Sequence, residues 1–300
     1  MDVDSDEAAA GKGRREPHAD GLDLGQLRHA EQRSHGRNGR RPPVASGRVL
    51  DLHAHILPGI DDGPDTLDES VDFARAAVAD GIRVLAATPH VREDYPTTAD
   101  AMEHALADVR DAVAEAGVAL EVLGGAEVAV DRLAGLDAET RSRFGLAGNP
   151  AYLLVEFPYA GWPLALADEV LRLRAARVTP VLGHPERNLD VQEAPDRLRP
   201  LVDAGALVQL TAASLDGRFG RRARRTSLEL LELELAHLVA SDGHGPAIRE
   251  VGLSSARDAV GDERLAEWLV EGVPGAIVAN APLPERPRRH VRRRPRLFGR

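Results

Sequence analysis

The 300-residue chain contains no cysteine, one lysine and few aromatic residues. Without cysteine it can form no disulfide bond, no thiolate metal site and no cysteine nucleophile. Aromatic residues make up 3% of the sequence and all hydrophobic residues 43%, so we expect a core built mainly of Leu, Val, Ile and Ala. Any catalytic or metal-binding chemistry must therefore come from histidine, carboxylate, arginine or hydroxyl groups.

Long hydrophobic segments are also missing. No run approaches the roughly 18–20 apolar residues of a membrane-spanning helix. The segment Met1–Ala10 is acidic, unlike the basic and apolar start of a signal peptide. These features predict a cytoplasmic protein.

Positive charge is scarce outside the C-terminal segment. Residues 286–300 carry eight arginines and no acidic side chain, so the rest of the chain has 38 − 8 = 30 basic against 48 acidic residues, a balance of −18. Such a body is poorly suited to binding nucleic acid, whose phosphates require basic groups. Only the basic tail is expected to contact an anionic partner.

Composition divides the chain into three parts. Residues 1–47 lack aromatic residues and any apolar period, which predicts a disordered tail. Residues 283–300 form a second tail, rich in arginine and proline. The structured domain is predicted to span residues 48–282.

Short apolar runs alternate with amphipathic segments in this domain, a pattern that predicts an α/β fold of parallel strands with helices outside. Thr66 and Glu69 form a candidate capping box at the first helix. Gly81 and Gly117 lie where helices are expected to end. Seven strands suggest a barrel. The predicted strands are 48–53, 82–88, 120–124, 152–156, 178–182, 207–211 and 237–241, and the predicted helices 66–80, 98–116, 164–176, 194–204, 221–235 and 248–260.

Histidines and carboxylates cluster at the ends of six predicted strands. The carboxyl ends of parallel barrel strands meet on one face, which is where such proteins carry their active sites. Residues two apart, as in His53 and His55, share a side of an extended chain. The gathered candidates are His53, His55, Asp62, His90, Glu127, Glu156, His184, Asp242 and His244, with Asp61 as an alternative to Asp62.

Five histidines and four carboxylates exceed the four to six ligands of a single ion, which indicates two or three ions. Without metal, four carboxylates in one cavity would repel one another and have raised pKa values. Three divalent ions would leave a surplus of two positive charges, enough to attract an anionic substrate. Each residue alone has a simpler interpretation: an incidental pair of histidines, a helix cap or salt bridge at Glu156, or a turn at Asp61 and Asp62 before Gly63.

The segments that carry these histidines and carboxylates resemble the PHP (polymerase and histidinol phosphatase) superfamily, and within it the bacterial tyrosine phosphatases that regulate capsule and exopolysaccharide. The resemblance covers residues 48–282 and implies a distorted (β/α)7 TIM-like barrel with a trinuclear centre. The metal it implies is manganese, with iron or zinc as alternatives. It is carried by residues 51–64, 87–90, 125–127, 155–157, 183–187, 208–214 and 240–244.

The resemblance also implies a ligand scheme. One ion takes His53, His55, Glu127 and Asp242; Glu127 bridges to a second ion held by Glu156 and His184; a third takes Asp62, His90 and His244. The choice between Asp61 and Asp62 stays open, with Asp62 preferred. The sequence departs from the family at Thr211, where members carry asparagine, and at residues 245–247.

We hypothesise that a metal-activated hydroxide attacks the phosphoryl group of a protein phosphotyrosine. Arg187, His184 and Asp242 are the candidate catalytic residues, with Arg187 clamping the phosphoryl oxygens. Arg187 is alternatively a surface ion-pair partner of Glu186. Arg92 either assists or is a solvated loop residue.

Two other functions compete with this hypothesis. The same metals would serve a small-molecule phosphatase, such as one for histidinol phosphate. A regulatory protein whose arginine tail binds nucleic acid or an anionic membrane is the third interpretation. If the tyrosine phosphatase hypothesis holds, the resemblance implies a membrane-bound tyrosine kinase of polysaccharide export as the substrate protein.

Overall fold

The strand ladders of the structure, a computed structural model, are all parallel, as the continuous apolar runs predict. The structure describes residues 47–245 and 250–288. The predicted N-terminal tail, apart from Gly47, lies outside the described residues, as does the predicted C-terminal tail from residue 289 onward. None of the described helices is long and apolar enough to cross a membrane.

Nine strands are present in the described part of the chain, arranged in two sheets. The first sheet has the order β1-β2-β4 and the second the order β3-β5-β6-β7-β8-β9. Segments that contain helices connect the successive strands of the second sheet, so the prediction of an α/β fold is confirmed. The strands are β1 (Val49–Ala54), β2 (Ile82–Ala87), β3 (His90–Val91), β4 (Glu121–Leu123), β5 (Glu127–Ala129), β6 (Tyr152–Glu156), β7 (Thr179–Gly183), β8 (Leu207–Thr211) and β9 (Leu238–Ala240).

The seven predicted strands are all found, but the sequence analysis missed β3 and β5. Both are short continuations of a strand after a break. Pro89 has no backbone N–H for the ladder, and its carbonyl instead accepts a hydrogen bond from Glu127 N at 3.0 Å. His90 and Glu127 are consequently register partners inside a parallel ladder, rather than loop residues beyond the strand ends.

Backbone hydrogen bonds join the end of β1 to the segment after β9. Ala54 and Gly243 form a parallel bridge. His55 N donates to Gly243 O at 2.8 Å, and Asp242 N donates to His53 O at 2.9 Å. The first and last polar motifs of the domain are therefore adjacent in space although they lie far apart in sequence.

Eleven α-helices flank the sheets in the described residues. The predicted helix 194–204 is divided into a 3₁₀ turn, Pro195–Leu198, and a short α-helix, with Pro200 near the start of the latter. Five of the eleven, α3, α5, α7, α10 and α11, were not predicted. The helices are α1 (Leu67–Ala79), α2 (Ala99–Glu115), α3 (Ala138–Arg143), α4 (Leu166–Ala175), α5 (Leu189–Glu193), α6 (Arg199–Asp203), α7 (Ala212–Asp216), α8 (Gly220–Glu232), α9 (Ser254–Val260), α10 (Glu263–Glu267) and α11 (Val273–Ala279).

The predicted helix boundaries have capping contacts, but only half of the predicted capping box forms at the first helix. Thr66 accepts a hydrogen bond from Glu69 N at 3.3 Å, while the Glu69 carboxylate accepts from Asp65 N rather than from the backbone of Thr66. Gly81 and Gly117 have φ values of 101° and 65°, the left-handed conformation that ends a helix. The loops after α1 and α2 are thereby directed back into the sheet.

The core is mainly aliphatic, as the composition predicts, with a few fully buried rings such as Phe73 and Phe157. The first residues of the predicted C-terminal tail contact this domain. Trp268 Nε1 donates to Pro284 O at 3.0 Å, and Arg286 donates to Leu231 O at 3.0 Å. Contacts with the domain thus continue past the predicted boundary at residue 282.

Candidate metal centre

The structure brings all nine predicted ligands together. They form four overlapping groups whose donor atoms lie within 4.8 Å of one another. Eight of the nine are buried, and Asp62 is partly exposed. The groups are His55, Asp62, His90 and His244; His53, Glu127 and His184; His53, His55 and Asp242; and His90, Glu127 and Glu156.

His53 is oriented by Gln209, a residue of β8. Its Nδ1 lies 3.0 Å from Gln209 Oε1, and the same oxygen is 3.3 Å from the backbone N–H of His184. Since a backbone N–H can only donate, the atom facing His53 is the amide oxygen. Nδ1 of His53 therefore carries a proton, and in the neutral ring Nε2 presents a lone pair to the cluster.

His55 is oriented in the same way by Asp61. Its Nδ1 lies 2.6 Å from Asp61 Oδ2, which also accepts from the backbone N–H of His90 at 3.1 Å. Nε2 of His55 consequently faces Nε2 of His53 at 3.3 Å. When both rings are neutral, their lone pairs are aimed at each other and repel, and a cation that both nitrogens coordinate removes that repulsion.

Glu127 lies at the centre of the cluster and has no solvent exposure. Its Oε1 is 2.9 Å from His184 Nε2, and its Oε2 is 2.9 Å from His90 Nδ1. Oε2 is nevertheless buried without a hydrogen bond of good geometry. A buried carboxylate oxygen surrounded by imidazole nitrogens fits a metal-bridging ligand.

The second aspartate of the Asp61–Asp62 pair, not the first, reaches the open side of the cluster. Asp62 Oδ1 lies 3.1 Å from His244 Nε2 and 3.4 Å from His90 Nε2. His244 Nδ1 is 2.9 Å from the carbonyl of Asp242, which directs its Nε2 toward Asp62. Asp62 thus lies among the candidate ligands, whereas Asp61 contacts Nδ1 of His55, the ring nitrogen opposite the one that faces the cluster.

Two arginines each contact a carboxylate of the cluster. Arg187 Nη1 donates to Asp242 Oδ2 at 2.7 Å, and Arg92 Nη1 donates to Glu156 Oε1 at 2.8 Å. The other oxygen of Asp242 lies 3.5 Å from His53 Nε2. Each of these carboxylates is therefore held by an arginine from one side and offered to the cluster from the other.

The alternative interpretation of Arg187 as an ion-pair partner of Glu186 is wrong. Glu186 is fully buried and accepts a hydrogen bond from Thr211 N at 3.0 Å. Burial raises the pKa of its carboxyl. Residues 186 and 187 both belong to the 3₁₀ turn Pro185–Arg187, in which successive side chains point about 120° apart, so they contact different partners.

The protonation states show how strongly this cluster favours a cation. Burial opposes the charging of His53 and His90, but Glu127 and the neighbouring carboxylates raise the pKa of His53 to about 9 and that of His90 to about 10. Burial likewise opposes the ionisation of Glu127 and Asp242, yet His53 and the other histidines hold the pKa of both carboxyls below the usual range, so the expectation of raised carboxyl pKa values is wrong for these two. Without metal, the carboxylates thus retain protons on the very nitrogens that a metal would bind.

A model of the family "Capsular polysaccharide synthesis, CpsB/CapC" matches residues 49–271. The chain belongs to the CpsB/CapC family. The matched range includes all nine candidate ligands and both arginines. The expectation of a capsule-related family is therefore confirmed.

Two relatives match this chain over nearly their whole length. The tyrosine-protein phosphatase YwqE of Bacillus subtilis is 34% identical over 255 residues, which span 84% of this chain and 99% of the relative. The tyrosine-protein phosphatase CpsB of Streptococcus agalactiae is 26% identical over 245 residues, 76% of this chain and 98% of the relative.

Solved structures agree with the sequence relatives. A crystal structure from work on YwqE of Bacillus subtilis and CpsB of Streptococcus pneumoniae, described there as unique metal-dependent tyrosine phosphatases, matches with a TM-score of 0.71 and 31% identity over 80% of this chain and 100% of that chain. The 5-methylcytosine deaminase of Klebsiella pneumoniae matches with a TM-score of 0.51 at 13% identity, a likeness of fold alone.

Sequence analysis missed two polar residues of this CpsB/CapC site, Gln209 and Asp51, and gave Asp61 only as an alternative ligand. Gln209 and Asp61 orient histidines, and Asp51 accepts hydrogen bonds from Ser241 N at 3.0 Å and His53 N at 3.3 Å. Burial raises the pKa of Asp51 to about 6. The available signal was a lone polar side chain within an apolar strand, which requires a buried partner.

The backbone at two candidate ligands is unusual for residues with a side chain. His184 has a φ of 40° and Asp242 a φ of 52°, both in the left-handed region. Each follows directly on or near a strand end, where the chain turns sharply toward the cluster. Such strained conformations cost about 1–3 kcal/mol and collect at functional sites.

Proposed function

We propose that this CpsB/CapC protein hydrolyses phosphotyrosine in proteins with the aid of divalent metal ions. One observation carries the proposal: the Nε2 atoms of His53 and His55 face each other at 3.3 Å beside Oε2 of Glu127, a buried oxygen surrounded by imidazole nitrogens. The relatives named tyrosine-protein phosphatases support the choice of reaction.

The donor set suits up to three ions. His53, His55, Glu127 and Asp242 would hold one, with Glu127 bridging to another held by Glu156 and His184. Asp62, His90 and His244 would hold the third. All these donors are nitrogen or oxygen, a set suited to manganese, with iron or zinc as alternatives, and we propose manganese.

When bound, such ions would polarise the phosphoryl oxygens and activate water for attack. The protein's own contribution is to orient the donors and to present cationic groups. Arg187 uses Nη1 for Asp242, which leaves its other N–H groups for a phosphoryl oxygen. His184 and Asp242 serve as ligands. A tyrosinate leaving group has a conjugate acid of pKa about 10, so it depends little on a general acid.

The connectivity supports a distorted (β/α)7 barrel of the PHP type. When β2 with β3 and β4 with β5 are each counted as one interrupted strand, nine segments become seven. The bridge between Ala54 and Gly243 would close the ring. The side chains at the carboxyl ends of the strands would then converge on one face.

The family description supports a role in capsular polysaccharide synthesis. We propose a tyrosine-phosphorylated kinase of polysaccharide export as the substrate and the cytoplasm as the site of action. The acidic domain does not favour nucleic acid. We propose that the arginine-rich C-terminal tail contacts an anionic partner.

The proposal is tested by comparing a phosphotyrosine peptide with histidinol phosphate, each with added Mn²⁺ and with a chelator. Manganese-dependent turnover that prefers the peptide is expected. Preference for histidinol phosphate would replace the proposed substrate class with a metabolite. The His184→Ala variant should lose turnover because it removes a ligand, and full activity in that variant would refute the ligand scheme.

A further inference from the structure

The guanidinium of Arg187 contacts two aromatic rings. Its Cζ is 4.5 Å from the ring centroid of Tyr159 and 4.6 Å from that of Phe219. Two cation–π contacts and a hydrogen bond restrict the orientation of the planar group. The hydrogen bond runs from Nη1 to Asp242 Oδ2.

We call Tyr159, Arg187 and Phe219 the clamp. Its three residues follow three neighbouring strands. Tyr159 follows β6, Arg187 follows β7 and Phe219 follows β8 and the short helix α7. Phe219 is anchored by its backbone N–H, which donates to Ala213 O at 2.9 Å. The clamp is therefore built by the sheet and does not depend on a single loop.

The Tyr159 loop is also fixed to the turn that carries Arg187. Asn188 is fully buried, and its Nδ2 donates to Pro158 O at 2.7 Å and to Gly161 O at 2.9 Å. Leu189 N donates to the backbone carbonyl of Tyr159 at 3.0 Å. The loop and the arginine thus form one rigid unit.

Tyr159 borders both the arginine and the metal cluster, yet part of its ring remains open. Its ring stacks on that of His184, with centroids 5.6 Å apart and an interplanar angle of 22°. The residue is 42% exposed, unlike the buried histidine beneath it. A large, exposed aromatic surface at the rim of a polar site offers contact to an apolar group of the substrate.

We propose that Tyr159 forms a subsite for the phenyl ring of the substrate, and that Phe219 is a positioning residue that fixes Arg187. The proposal rests on the proposed phosphatase function. In an aryl phosphate a single oxygen joins phosphorus to the ring, so a phosphoryl group bound by Arg187 brings the ring close to Tyr159. An alkyl phosphate places no ring there. The clamp therefore makes the site selective for aryl phosphates.

The test uses the full-length, manganese-loaded protein with two non-hydrolysable inhibitors, phenylphosphonate and methylphosphonate. The ratio of their inhibition constants measures the preference for an aryl group. In Tyr159→Leu this preference should fall about fivefold, the effect of losing one aromatic pair. Tyr159→Phe should retain it, because the ring is kept. Leu171→Ala, which alters an exposed residue of α4, is the control.

Phe219→Leu should weaken both phosphonates by the same factor, since it acts through Arg187 and not through the ring of the ligand. An unchanged aryl preference in Tyr159→Leu would overturn the subsite, and so would an equal loss in Tyr159→Phe. A loss restricted to phenylphosphonate in Phe219→Leu would overturn the positioning role. If the protein does not hydrolyse phosphotyrosine, calorimetric binding of the two phosphonates still decides the subsite separately from the reaction.

Discussion

Arg187 and Asp242 form an ion pair in which Nη1 and Oδ2 are 2.7 Å apart, while the second carboxylate oxygen is 3.5 Å from His53 Nε2. The arginine proposed to bind the phosphoryl group thus also orients a candidate metal ligand. Its side chain is 19% exposed, against 2% for the aspartate. One residue therefore links the solvent-facing side of the site to the buried cluster.

Replacing this arginine should harm catalysis even when the positive charge is kept. We expect Arg187→Lys to lower kcat/KM for a phosphotyrosine peptide by about 10²-fold, because an ammonium cannot hold Asp242 and a phosphoryl oxygen with the same fork. Arg197→Ala is the matched control, since that arginine pairs with Asp190 and stacks on Trp162 away from the cluster. Steady-state kinetics of both variants check the prediction, and equal activity of Arg187→Lys and the parent protein would contradict it.

Gln209 should control metal affinity without being a ligand. Gln209→Leu leaves His53 Nδ1 without its acceptor, so the ring no longer keeps the proton on that nitrogen. We expect a 10–100-fold weaker affinity for Mn²⁺, on the order found for lost orienting partners of metal ligands. Gln209→Glu retains an acceptor and should preserve binding. Titration of the metal-free proteins with Mn²⁺ measures this, and unaltered affinity in the leucine variant would argue against the assigned tautomer.

The two adjacent aspartates should respond differently to the same substitution. Asp62→Asn removes a donor that faces His90 and His244, so the bound metal should fall by one ion per chain. Asp61→Asn weakens the orientation of His55 and should lower affinity with the number of ions unchanged at saturation. Elemental analysis after dialysis against Mn²⁺ distinguishes the two variants. The reverse pattern would make Asp61 the ligand.

Metal binding should release protons at neutral pH. Despite burial, the carboxylate of Glu127 and its neighbours raise the pKa of His53 to about 9 and that of His90 to about 10 in the metal-free protein. Both rings are therefore protonated at pH 7 and must lose their protons to coordinate an ion. Affinity should increase as the pH rises. Calorimetry in buffers of different ionisation enthalpy counts the protons, and a binding enthalpy independent of buffer would exclude the exchange.

A second histidine, outside the cluster, should affect stability in acid. Burial, together with the charge of Arg286, lowers the pKa of His237 to about 4. Its Nδ1 accepts a hydrogen bond from Val208 N at 3.1 Å, which requires the neutral ring. The unfolded chain binds this proton more readily, so stability is present above pH 6.5 and is lost as the pH falls toward 4.

The measurement is urea unfolding of the metal-free protein at pH 7 and pH 5. His237→Gln supplies a neutral side chain, so the variant should lose less stability between these two values than the parent protein. An identical loss in both proteins would show that His237 does not retain its neutral form in the folded state.

Much of the site could be predicted from residue type and position. Asp242 and His244, like His53 and His55, are spaced two apart at the end of an apolar strand, and parallel strands place such ends together. The interruptions after β2 and β4 were not predicted, because they depend on Pro89 and on loops that pack there from other parts of the chain. The division of the predicted helix 194–204 near Pro200 was not predicted either.

The sequence by itself determined the set of candidate ligands, because histidines and carboxylates at the carboxyl ends of parallel strands lie on a shared face. Only the tertiary structure decided which nitrogen of each ring faces the cluster, since Gln209 lies 156 residues from His53 along the chain. It also decided between Asp61 and Asp62 as the residue that faces the open side, and gave Arg187 the partner Asp242 in place of Glu186. These relationships depend on distances across space between separate strands, which local spacing does not contain.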